Sequence, residues 1–130
     1  MDHPEFPVGK GFKYVQERYD AEVKFTDQHI GKILDGLRAA GLAENTAVVV
    51  FSDHGEAFGE HKLGGEALYF HGEALYNEVL KVPLLIYVPG MTPRVVTERA
   101  MLIDMAPTVL ELAGVARPGS FRGRSLVAAM

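Results

Sequence analysis

The sequence predicts an α/β fold, a largely parallel sheet flanked by helices, on three observations. Residues 46–52 and 83–88 are short, continuously apolar runs, the first rich in β-branched residues, as in strands covered on both faces. A long helical stripe precedes the first run. A shorter helical segment follows the second, so helices and strands alternate, the order that gives parallel sheets. Such sheets bind ligands just beyond the carboxyl ends of their strands, which directs attention to the residues after Ser52.

The elements follow in chain order. Residues 1–11 are rich in Pro and Gly and read as a loop or tail. They carry no apolar h-region and are not expected to be a signal peptide. Val15, Tyr19, Val23, Thr26, Ile30, Ile33, Leu34 and Leu37 step by three or four, while Lys13, Glu17, Asp20, Lys24, Asp27, Lys32 and Asp35 take the other face. This predicts an amphipathic helix over 12–40, stopped by Gly41. The strand at 46–52 follows. Residues 55–72 hold five glycines and read as a loop, in which the word GEA occurs at 55, 65 and 72. A short helix is expected at 73–80, a strand at 83–88, and weaker strands at 95–97 and 101–103. Asp104 stands where an N-cap belongs, with Pro107 in the first turn and Gly114 as the stop of a helix ending near Ala113. Residues 127–130 form a tail.

Composition narrows the function. The chain has 130 residues, one domain or part of one, with 48% hydrophobic and 23% charged residues, as in globular proteins. The net charge of −4 argues against a nucleic-acid groove. An anionic substrate would therefore need local positive charge from a metal or a few bases. The absence of cysteine excludes disulfides, zinc–thiolate sites and a cysteine nucleophile within this chain. No run reaches the ~18 apolar residues of a membrane span. Localisation is left open.

Asp53 and His54 end the first strand, and the following glycine lets the backbone turn both side chains into one crevice. A carboxylate beside an imidazole suits a divalent cation. The alternative is an Asp53 that caps a turn and a surface His54. His54 and His61 are seven apart, but Gly55 and Gly59 between them oppose a helix. HGEAFGEH is not the HExxH of zinc proteases, and the HxE words at His54 and His71 lack the cysteines of zinc deaminases. His71 precedes the helix expected at 73–80, where it either meets an anionic group or faces water. His3 and His29 receive no role. No GxSxG elbow, P-loop or GxGxxG occurs.

Five words in order, RYDAEVKFTDQHIGKILDGL, NTAVVVFSDHGEAFGEH, FHGEALYNEVLKVPLLIYVPG, LIDMAPTVLELAG and GRSL, resemble the sulfatase family of the alkaline-phosphatase superfamily. The resemblance implies a partial alkaline-phosphatase-like sandwich over 12–126. It implies that Asp53 and His54 are ligands of one divalent metal ion (Ca, Mn or Zn). His71, five residues before Tyr76, takes the place of a family Lys or His that contacts the sulfate or phosphate group and assists catalysis. His61 is carried over as a substrate-pocket residue, and Tyr76 and Glu78 as structural ones. The implied activity is metal-dependent hydrolysis of sulfate esters of small molecules or glycans. Phosphodiester or phosphonate hydrolysis and phosphoglycerol transfer are the alternatives within the superfamily. The family's CxPSR-type nucleophile and two further acidic ligands lie in its N-terminal half. Thr92-Pro93-Arg94 is at the wrong end to stand in for that motif. The expectation is thus a C-terminal portion of the domain, inactive alone, that needs the N-terminal half as a partner and associates with itself. A non-catalytic metal-binding or interaction module is the competing class.

Overall fold

The computed structural model describes residues 14–130. Helix α1 (Val15–Ala39) is followed by strand β1 (Val48–Phe51), strands β2 (Ala57–Leu63) and β3 (Glu66–Phe70), the one-turn helix α2 (Asn77–Leu80), strand β4 (Leu84–Tyr87) and helix α3 (Met105–Leu112). The α/β class expected from sequence holds, and α1, β1, β4 and α3 lie where periodicity places them. Residues 12 and 13 of the expected first helix lie outside the described residues. No described helix is long and apolar enough to cross a membrane.

The segment read as a loop is a hairpin. Strands β2 and β3 pair antiparallel, with Leu63 opposite Glu66. Gly64 and Gly65 both have positive φ, 62° and 93°, as a two-residue primed turn requires. Two of the five glycines counted as loop residues thus make the turn. Gly59, at φ 95°, lies in the irregular stretch between Phe58 and Lys62 under the Tyr69 ring. The expected helix at 73–80 shrinks to its last turn, because Tyr76 stays extended at ψ 163°. His71 therefore follows a strand and does not sit at a helix mouth. The weak strands at 95–97 and 101–103 do not form: Val95 is exposed in irregular chain, and residues 102–104 make a 3-10 turn.

Among the described residues the strand pairs are both antiparallel, β1 with β4 and β2 with β3. The parallel arrangement does not appear between β1 and β4, for a reason in the connection. A parallel crossover must carry the chain back along the strand, usually on a helix of a dozen residues or more with its loops. Helix α2 has four residues. Moreover, the Gly55 N–H donates to Val79 O at 2.7 Å, tying the approach to β4 to the end of β1. The chain re-enters beside Phe51, which pairs with Leu84.

Two buried groups hold the chain together. Ala57, Leu68 and Val79 pack between the hairpin and α2, with Ala74 against them. The second lies at α3. Asp104 is buried, yet its carboxylate does not cap α3. It accepts from Met101 N–H at 2.9 Å and from Arg124 N–H at 2.9 Å. Thr108 Oγ1 donates to Asp104 O at 2.6 Å and accepts from Leu126 N–H at 3.0 Å. These bonds seat residues 123–126 against α3 and bury Leu126.

Candidate metal and anion site

The end of β1 is turned and pinned by its own polar groups. Ser52 Oγ donates to His54 O at 2.7 Å, and His54 N–H donates to Asp53 Oδ1 at 3.0 Å. Gly55 then passes so close to α2 that a Cβ there would lie 1.9 Å from Glu78 O. This close approach of backbone to backbone fixes where His54 stands.

The His54 ring is fixed as well. Its Nδ1 lies 2.8 Å from Gly55 O. A carbonyl only accepts, so Nδ1 carries the proton and Nε2 presents a lone pair. That Nε2 lies 3.7 Å from Asp53 Oδ1, and the Asp53 side chain is 85% exposed. Two donors at that separation can share one cation held about 2.0–2.2 Å from each, the range for zinc-like ions. The carbonyl behind Nδ1 is the partner that metal-bound histidines ordinarily have. Asp53 and His54 therefore fit two ligands of a divalent ion. Among the described residues no group of three or more His, Asp or Glu side chains converges on one point.

His71 reaches the same place from the hairpin. Phe70, just before it, has φ 70°, a left-handed conformation uncommon for a bulky residue, and Gly72, just after, has φ 98°. Between these two turns His71 lies flat on His54, ring centres 3.7 Å apart and planes 29° apart. Its Nδ1 meets Glu56 Oε1 at 3.2 Å. Sequence reasoning brings Asp53, His54 and His71 to attention and passes over Glu56. The contact joins residues fifteen apart through the hairpin, and the only sequence trace of it is the acid that closes the word SDHGE.

His61 is held apart from this group. Its ring stacks on Tyr76 at 3.7 Å and 10°, and Nε2 meets Glu78 Oε2 at 3.2 Å. A hydrogen bond from its own backbone N–H holds the Glu78 carboxyl below the ordinary carboxylate value. Partial burial opposes this, and His61 and Lys81 add to it.

The family model named Sulfatase matches residues 4–115. The chain belongs to the sulfatase family. This sulfatase chain is 34% identical over 122 residues to the uncharacterized sulfatase YidJ of Escherichia coli K12, covering 94% of the chain and 23% of that protein. It is 36% identical over 119 residues to an N-acetylglucosamine-6-O-sulfatase of Bacteroides thetaiotaomicron, covering 88% and 20%. It spans about a fifth of the length of the curated relatives it matches. Two solved structures are similar to it, each at 34% identity. BT4656 in complex with its substrate D-glucosamine-2-N,6-O-disulfate has a TM-score of 0.66 and covers 80% of this chain and 20% of its own. A phosphonate monoester hydrolase from Silicibacter pomeroyi has a TM-score of 0.67 and covers 77% and 19%. These neighbours have the alkaline-phosphatase-like fold expected for a sulfatase chain.

Proposed function

We propose that this chain supplies two metal ligands and an anion-contacting histidine to a sulfatase-type ester hydrolase. The observation that carries this reading is the arrangement at the end of β1. His54 Nε2 stands free 3.7 Å from Asp53 Oδ1, with the His71 ring stacked alongside. Asp53 and His54 would hold a divalent cation. When bound, the cation supplies positive charge to a non-bridging oxygen of the ester and helps ionise a nucleophile. An imidazole with an open second nitrogen suits Mn or Zn better than Ca. His71 is exposed beside the ligand pair, placed to donate a hydrogen bond to an ester oxygen and to protonate the leaving oxygen. Sulfate esters of small molecules or glycans are the proposed substrates. The relatives that carry sulfatase names and the sulfated glucosamine bound to one neighbour support that class. Phosphonate or phosphodiester hydrolysis is the second reading, favoured by the likeness to the phosphonate monoester hydrolase.

Calorimetric titration with Mn²⁺ tests the ligand pair. Binding to the wild-type chain should disappear in Asp53→Ala and in His54→Ala. Identical titration curves for wild type and both variants would sink the assignment. We also propose that the 130-residue chain alone turns over no ester, since it has no CxPSR-type nucleophile word. Hydrolysis of an aryl sulfate or a bis-aryl phosphate by the purified chain would overturn that.

A further inference from the structure

We infer that Glu56 is a positioning residue for His71, fixing which of its two ring nitrogens faces an anion. The inference rests on the reading of His71 as the anion contact. Three observations carry it. Glu56 Oε1 lies 3.2 Å from His71 Nδ1. The Glu56 side chain is only 14% exposed, against 47% for His71, so the carboxylate is the anchored partner and the imidazole the presented one. Phe70 and Gly72 flank His71 with φ of 70° and 98°, and the local backbone departs from the strand to bring the ring onto His54.

The chemistry follows from donor and acceptor counting. An ionised carboxylate only accepts, so Nδ1 of His71 is the nitrogen that donates to it. In the neutral ring this leaves the proton on Nδ1 and the lone pair on Nε2. In the cationic ring Nε2–H points outward as a donor. The cationic ring is the form that can donate to an anion: with Nδ1–H taken by the carboxylate, Nε2–H is the donor that meets the ester. The His54 ring lies against one face of the His71 ring, centres 3.7 Å apart. Ala57, next to Glu56, is wholly buried, so the carboxylate stands on a fixed base. Acidic partners that orient a histidine in this way commonly affect binding or activity without touching substrate.

Long-range ¹H–¹⁵N spectra of the imidazoles of the full chain, at about pH 8.5 where an ordinary imidazole is neutral, read the tautomer directly. Wild-type His71 should show the Nδ1–H form. Glu56→Gln should keep it, because the amide oxygen still accepts. Glu56→Leu and Glu56→Asp should shift it toward the mixed forms of a free imidazole, the aspartate being about 1.5 Å too short. At about pH 5.5, where an ordinary imidazole is cationic and Nε2–H can donate, the same two variants should weaken the inorganic sulfate-induced shift of His71 Nε2 by about threefold to tenfold in affinity, as for a lost hydrogen bond. The His61 signals, set by Glu78 and Tyr76, report an intact fold. If Glu56→Leu does not fold, Glu56→Asp carries the test. A wild-type His71 in the Nε2–H form, or an Nδ1–H form that survives in a folded Glu56→Leu or Glu56→Asp chain, overturns the proposal. Mn²⁺ broadening of the Asp53 and His54 signals in the same samples decides the metal reading separately.

Discussion

Glu78 shows how a single carboxylate can couple stability to pH in this chain. Its own backbone N–H and the His61 imidazole favour the ionised form, and the folded carboxyl is held below the ordinary value of 4.5. A carboxyl depressed on folding contributes its stability in full above that ordinary value. It loses the contribution as pH falls through the lower, folded value. Chemical denaturation followed from pH 6 down should therefore show a shallower acid decline in Glu78→Gln than in wild type. At the same scale Gly55 admits no side chain. Gly55→Ala places a Cβ 1.9 Å from Glu78 O and should cost at least about 2 kcal/mol by urea denaturation. A Gly55→Ala chain as stable as wild type would show that α2 is free to move away from β1.

Between elements, the seating of the C-terminal segment on α3 depends on two buried polar side chains. Thr108 both donates and accepts, linking the start of α3 to Leu126. Thr108→Val keeps the shape and leaves the Leu126 N–H unpaired, so it should destabilise by about 1–3 kcal/mol. Hydrogen exchange should show the loss first at residues 123–126. Asp104 reads from sequence as a helix N-cap, and its position is right, but its carboxylate turns away from α3 to reach Met101 and Arg124. Local sequence places an acid at a helix start. It cannot say that a backbone N–H twenty residues later will compete for that acid and win. The hairpin is the opposite case. Gly64-Gly65 between 57–63 and 66–70 is a legible turn signal, hidden by three further glycines that serve other purposes.

As a whole the described chain buries little. No residue of α1 is fully buried, and Ile33, Leu85 and Tyr87 stand well exposed. Each described sheet has two strands, so every strand is an edge with open backbone groups. Such surfaces favour pairing with further chain or with a second copy. Sedimentation velocity should show a weight-average coefficient that rises with concentration. A sharp species at the monomer value throughout would contradict this.

The sequence by itself determined the elements whose signal is local: the 3.6-residue stripe of α1, the apolar runs of β1 and β4, and the start of α3. It also offered Asp53, His54 and His71 as site candidates, the first two by their place after a strand and the third through the family resemblance, and passed over Glu56. Only the tertiary structure decided which groups meet. The antiparallel pairing of β1 and β4, the stacking of His54 on His71, and the separate place of His61 on Tyr76 and Glu78 all join residues fifteen or more positions apart. Such contacts are set by backbone turns at Phe70 and Gly72 and by the close pass of Gly55. Their energies belong to the folded chain and leave no period in the sequence.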